Sequence, residues 1–478
     1  MTGPAFELSA EEAALPAPGS AWEPMTQRRV LLLALPIIGE NLLQVAVGAV
    51  DTLLVGRLGA DAIAGVGIAF ETVFLIIAIL SAVTIGATVL VSQAIGAGDG
   101  ERANELARQA ISWGVVLAVP LSVIGYLLAP QAISIFHVEA DVAENAVAYL
   151  RVTAACSVAI LLSYLCGAVL RGAGDSRTPL KAAVLANAVN VVLAYVLIFG
   201  HFGFPELGVA GSAWGAAIGR GVGAAFMLFM LWSGRVKLSI RGREGWGPNL
   251  PMGRDLFRLG LPAAFEQVVM QFGFISLVAI AATIGTDALA AQQISFTAMS
   301  IAFLPMIAFA TTATAFVGQS VGARRMDEGV KAARISRRWA LIVAVAGLVF
   351  LVVFAEQIVR AFSDDPDVIA IGTVAMRAIG CSLPIWGLWM SSAGAARGSG
   401  DTRSPMVRGV AAVWLAVLIA WLGVHFLDQS IAWIWGTFMV TGLLPAFGNW
   451  RSFRKRSEML ARDFRFDANP APGIAEPA

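Results

Sequence analysis

Apolar residues run in long uninterrupted stretches along this chain, separated by short polar segments, and that pattern is its first signal. Runs such as IIAILSAVTIGATVLV, WGVVLAVPLSVIGYLL and ALIVAVAGLVFLVVF approach the ~20 residues that a helix needs to cross a ~30 Å hydrocarbon core. Lipid offers no partner to free backbone groups, so a span must be a helix or part of a closed barrel, and continuous runs exclude the alternation of a barrel. Hydropathy predicts spans near residues 30–56, 66–95, 109–130, 145–170, 180–201, 208–233, 257–284, 289–318, 338–358, 370–394, 406–426 and 431–450. The reading is an all-α integral membrane protein with twelve transmembrane helices.

Composition agrees: 58% of residues are apolar and 14% charged, far from the roughly 25% charged residues of a soluble domain. The net charge of +1 conceals a spatial pattern. The even-numbered gaps hold Arg102 and Arg108, then Arg171, Arg177 and Lys181, and later Arg397, Arg403 and Arg408, whereas the odd gaps carry Asp61, Asp141, Glu144, Asp287 and Asp364. The positive-inside rule therefore puts both termini on the cytoplasmic side of a multi-pass inner (plasma) membrane protein. No basic segment followed by an apolar core precedes the first span, so that span is expected to be its own insertion signal. Cys156, Cys166 and Cys381 lie inside apolar segments and read as packing residues.

A nonapeptide is written twice. Arg171 to Pro179 reads RGAGDSRTP and Arg397 to Pro405 reads RGSGDTRSP (397 − 171 = 226). The same shift relates Pro36 to Pro262, Glu40 to Glu266, Gln93 to Gln319 and Asp141 to Asp367. A constant register across six spans is the mark of internal duplication. Six is even, so both halves insert with the same orientation, giving two parallel pseudo-symmetric six-helix bundles that face a central cleft. Residues 1–26 read as a disordered cytoplasmic tail, 27–234 as the N-terminal lobe, 235–256 as a cytoplasmic linker, 257–456 as the C-terminal lobe and 457–478 as a second cytoplasmic tail. Within the nonapeptide, the glycines permit a tight turn, Asp175 or Ser176 caps the next helix, and Arg171 and Arg397 anchor the cytoplasmic surface, with Asp401 repeating Asp175.

This architecture suits alternating access and hence a secondary transporter. The chain has three histidines, none in a cluster, and lacks a Walker motif, a GxSxG elbow and HExxH, so it is not expected to be an enzyme and no metal or cofactor beyond a coupling ion is implied. A different polytopic carrier, of the major-facilitator type or a flippase for lipid-linked substrates, is the alternative. The segment GAGDGERANE lacks the G-x-x-x-D-R-x-G-R-R pattern of the major facilitators.

The doubled R-G-x-G-D-x-R-x-P loop, VDTLLVGRLGADAIAG at Val50 to Gly65, VSQAIGAGD at Val91 to Asp99 and NVVLAYVLIFG at Asn190 to Gly200 together resemble the multidrug and toxic compound extrusion (MATE) family, in its prokaryotic DinF-like branch. The resemblance spans about Arg28 to Trp450. It implies an antiporter that exports amphipathic, cationic drugs or toxic organic compounds in exchange for protons or sodium. It implies no nucleic-acid partner, and the sequence is silent on oligomeric state.

Carboxylates inside a membrane are costly and mark function by default. Asp51 matches the family's ion-coupling aspartate, Asn190 its hydrogen-bonding asparagine with Asn187 one turn away, and Pro36 the proline at which the first helix is proposed to bend. The residue 226 positions after Asp51 is Leu277, so the lobes are chemically unequal there. Glu40 and Glu266, with Gln44, Gln271 and Trp386, are candidates for the substrate cleft, the two glutamates having an internal pairing role as their alternative. Glu71 is a further carboxylate within a span. Family members with a cation site supply further oxygen ligands where this chain has Ala194 and Ala216, so protons rather than sodium are the expected coupling ion.

Overall fold

The computed structural model describes residues 24–468 except 243, 428 and 429, so most of the expected first tail, the end of the second and Asp428 lie outside the described residues. The N-terminal lobe comprises α1 (Gln27–Gly56), α2 (Ala60–Gly96), α3 (Gly100–Leu127), α4 (Ala129–Ser134), α5 (Ala140–Ala155), α6 (Ser157–Gly172), α7 (Arg177–Phe199) and α8 (Val209–Ser233). The C-terminal lobe comprises α9 (Leu250–Ile284), α10 (Thr286–Gly322), α11 (Met326–Val353), α12 (Ala355–Arg360), α13 (Pro366–Gly398), α14 (Arg403–Leu427), α15 (Ile431–Thr441) and α16 (Leu443–Ala468). Among the described residues, eleven helices are long and apolar enough to cross a membrane, and α5 with α6, bent by 57° at Cys156, makes a twelfth span. The duplication holds element by element. Helices α2, α3 and α4 recur as α10, α11 and α12 with both ends shifted by the same register that relates Arg171 to Arg397, and the bent α5–α6 pair recurs as the single helix α13.

Three expected boundaries move. Met25, assigned to the tail, is fully buried against α10 and α11, and its backbone N–H donates to Glu328, so the chain enters the N-terminal lobe by way of its partner lobe. The linker is shorter than expected, because α9 begins at Leu250, capped by the Asn249 side chain. Its loop is also strapped to α3: Asn104 accepts from the Ser239 N–H (2.7 Å), and Gln109 donates to the carbonyls of Gly245 and Gly247 and accepts from Asn249 N–H. Helix α16 continues past residue 456 to Ala468, packing Leu460 and Phe464 against the C-terminal lobe, so the first part of the expected second tail is helical.

The lobes meet along the halves nearest the basic loops. A methyl group at Gly260 would collide with the Ala82 carbonyl, one at Gly96 with that of Gln319, and one at Gly322 with that of Gln93. Hydrogen bonds cross the same interface in pseudo-symmetric fashion. Gln319 Nε2 donates to Gly172 O (2.9 Å) and Gln93 Nε2 to Gly398 O (3.5 Å), so each copy of the nonapeptide receives a donor from the opposite lobe. Above this seal, where Gln267 Nε2 donates to Ser81 Oγ (3.1 Å), a cavity of about 220 Å³ opens between α2 and α9.

Candidate functional site

Asp51 lies in the C-terminal half of α1 and Asn190 near the middle of α7, which pack side by side. Asn190 Nδ2 donates to Asp51 Oδ2 at 3.0 Å, the pairing expected from the sequence. The remaining acceptors, Asp51 Oδ1 and Asn190 Oδ1, are buried without a hydrogen-bond partner among the described residues. Asn187 joins the region as a half-buried side chain whose buried Nδ2 has no partner, and it makes no bond to Asp51. Unsatisfied buried polar atoms cost about 1–3 kcal/mol each, so a cluster of them within one bundle is a site held open for something.

The α7–α8 contact decides what else can enter. Gly215 sits against Ala194, where an added Cβ would come within 2.7 Å of the Ala194 nitrogen and 3.0 Å of its Cβ, so the helices touch here through small residues, and buried Ala194 and Ala216 offer no side-chain oxygen. Gly219 likewise abuts Asn190, with 3.0 Å from its ideal Cβ to that of Asn190. The next residue is Arg220, which acts electrostatically on both Asp51 and the buried Tyr149. The sequence reading passed over Arg220. Its signal was available: a lone arginine midway along the apolar helix α8, where a charge persists only if it faces the bundle interior or water.

The C-terminal lobe does not repeat the Asp51–Asn190 pair. At the positions equivalent to Asp51, Tyr149 and Asn190 it carries Leu277, Ala375 and Ala416, all fully buried. Aromatic packing fills this lobe: Trp386 stacks on Trp389 with ring centroids 4.3 Å apart and packs against Phe303 and Phe438. Trp386 is 2% exposed and therefore does not line the cleft.

Glu40 and Glu266 also leave the cleft. Arg171 Nη1 binds both oxygens of Glu40, at 3.2 and 3.0 Å, and Arg397 Nη2 binds Glu266 Oε2 at 2.7 Å. These are equivalent ion pairs in the two lobes, with the Glu266 side chain 3% exposed and that of Glu40 14%. The internal pairing is the alternative that holds. The leading arginines of the two nonapeptides, Arg171 and Arg397, are thus partners of carboxylates in α1 and α9 rather than surface anchors. Asp175 and Asp401 perform the expected turn role: Asp175 Oδ1 accepts from Arg177 and Thr178 N–H, and Asp401 Oδ1 from Ser404 N–H at 3.0 Å. Pro36 lies inside α1, four residues before Glu40, and Gln44 is exposed on the same helix. Gln271 does line the cavity, together with Phe74, Ile77, Gln267, Met270 and Phe274. The side chain of Glu71 lies outside what is described. No group of three or more metal-ligating residues occurs among the described residues.

The family model MatE matches residues 36–196 and, a second time, residues 262–422, in the register of the duplication. The chain belongs to the MatE family. It is 30% identical over 419 residues to a probable multidrug resistance protein NorM of Thermotoga maritima, covering 86% of this chain and 89% of that one. A probable NorM of Rhizobium meliloti is also 30% identical, with 91% and 94% covered. Among solved structures, a MOP superfamily transporter from Pyrococcus furiosus superposes with a TM-score of 0.85 at 22% identity, covering 91% of this chain and 96% of that one. The outward-facing conformation of a multidrug resistance MATE transporter matches with a TM-score of 0.85 at 22% identity, covering 91% and 97%. At these identities the structures show the MatE fold alone. With that fold and membership, the chain is a multi-pass membrane transporter and not an enzyme.

Proposed function

We propose that this MatE protein is a secondary antiporter that exports amphipathic, cationic organic compounds from the cell in exchange for protons, with Asp51 as the proton-carrying group. The observation that carries this reading is the inequality of the carboxylates. Glu40 and Glu266 each have an arginine at ion-pair distance, whereas Asp51 has one amide partner and an unsatisfied Oδ1. A proton needs one titratable oxygen. Sodium needs several oxygens around it, and Ala194, one turn from Asn190, and Ala216 on the facing helix supply none. The multidrug resistance names of the relatives support an organic substrate, and a cavity of mixed aromatic, aliphatic and amide lining suits amphipathic compounds. Dye efflux from proteoliposomes tests the coupling: a proton gradient at matched sodium drives efflux, and a sodium gradient at matched pH does not. The reverse result overturns it.

The basic loops support a cytoplasmic location for both termini, and on that assignment the lobes are sealed on the cytoplasmic side and the cavity lies above the seal. Alternating access then requires the crossed Gln93 and Gln319 hydrogen bonds to part once per cycle. In a variant with Cys156, Cys166 and Cys381 replaced by alanine, a single cysteine at exposed Ala140 is expected to react with an impermeant thiol reagent outside intact cells. One at exposed Lys181 is expected to react only in inverted vesicles. Labelling of the Lys181 position from outside reverses the orientation.

A further inference from the structure

We propose that Arg220 is the built-in counter-cation of Asp51: when the carboxylate has no proton, the guanidinium closes onto Asp51 Oδ1 and Asn190 Oδ1, occupying the place an inorganic cation would need. The inference rests on the proton-antiport reading and adds the residue that sets ion selectivity.

Three observations carry it. First, the acceptors and donors are complementary. Asp51 Oδ1 and Asn190 Oδ1 are two buried acceptors without donors, while Arg220 offers five N–H groups and, among the described residues, makes no side-chain hydrogen bond and no ion pair at contact distance. Second, the helices bring them together. Gly219 lies directly against Asn190, which holds Asp51, and Arg220 lies two turns along the same face of α8 as Ala213, which packs in one cluster with Val55 of α1 and Tyr149 of α5, so the arginine is on the side of α8 turned toward the site, where its charge acts on Asp51 and Tyr149. Third, the arginines that face the other two buried carboxylates are engaged, Arg171 with Glu40 and Arg397 with Glu266. Arg220 is left to Asp51, whose buried Oδ1 has no guanidinium at contact distance.

A guanidinium suits this role because it stays charged throughout the cycle and forks onto two oxygens at once. The carboxylate alternates between a bound proton and the tethered cation, and no charge enters or leaves the bundle except the proton itself. A sodium ion would have to compete with a cation already attached to the protein at high local concentration.

The test compares wild type, Arg220→Gln, Arg220→Lys, Asp51→Asn and the Asp51→Asn/Arg220→Gln double variant. Each is assayed for proton-driven dye efflux and for thermal stability in sodium chloride against choline chloride of equal ionic strength. Wild-type stability is expected to be the same in both salts. Arg220→Gln should lose most of its efflux, because the unprotonated carboxylate then has no tethered cation to receive it. It should also gain stability from sodium, because the vacated acceptors now take the ion, and the double variant should lose that gain. Arg220→Lys, which keeps a cation, should retain most of the efflux and remain indifferent to sodium. Wild-type efflux by Arg220→Gln, or an inactive Arg220→Gln with no sodium response, overturns the proposal. If wild type itself runs on sodium and not on protons, the antiport reading fails instead, and the two failures are told apart by the wild-type arm alone.

Discussion

Asp51→Asn is expected to reduce proton-driven efflux to the level of protein-free vesicles while leaving the amount of folded protein in the membrane unchanged. The amide keeps the shape of the side chain and an oxygen able to accept from Asn190 Nδ2, so the bond at 3.0 Å survives in kind. What it loses is the ability to take up and release a proton. Stability is not expected to fall, since a buried carboxylate with an unsatisfied oxygen carries a desolvation cost that an uncharged amide avoids. The C-terminal lobe offers no substitute, because the corresponding positions are Leu277, Ala375 and Ala416. A structural aspartate would tolerate the exchange with activity intact, and wild-type efflux by this variant would remove Asp51 from the coupling step.

The second large effect belongs to the ion pair of the other lobe. Replacing Glu266 by glutamine leaves Arg397 partly buried without its counter-charge, and breaking a buried pair from one side costs roughly 3–5 kcal/mol. For a lobe of this size that corresponds to a fall in melting temperature on the order of 10 °C. The equivalent change at Glu40 should cost a similar amount, because the arginine it strands, Arg171, is 14% exposed against 24% for Arg397. Removing both charges, as Glu266→Gln with Arg397→Gln, should recover most of the stability, since no unpaired ion remains. Transport of cationic and neutral substrates should decline together with the amount of folded protein. A loss confined to cationic substrates at unchanged melting temperature would return Glu266 to the cleft.

These two carboxylates show where reading the sequence stops. Both sit in apolar helices of the same topology, and from the chain alone each is an expensive charge needing a partner or a function. Their fates differ because Arg171 and Arg397, each 131 positions from its glutamate, are brought onto α1 and α9 by the turn that ends α6 and α13, whereas no arginine reaches contact distance of Asp51. The doubled nonapeptide was legible as duplication and as turn, with Asp175 and Asp401 capping as expected. Its role as acceptor for Gln319 and Gln93 of the opposite lobe was not, since nothing in either copy specifies which helix faces it.

By itself the sequence determined the membrane-spanning all-α class and the two-lobed repeat, and its resemblance to a known family implied the pairing of Asp51 with Asn190. Hydropathy acts over single helices, and a repeat register is written directly in residue spacing. Tertiary structure alone decided that Glu40, Glu266 and Trp386 are internal, that the lobes close on the side of the basic loops, and that the charge of Arg220 acts on Asp51. Those outcomes depend on the rotation of one helix about its axis relative to the next. In lipid that rotation is fixed by close contacts such as Gly219 on Asn190 and Gly96 on Gln319, which no periodicity within a uniformly apolar span encodes.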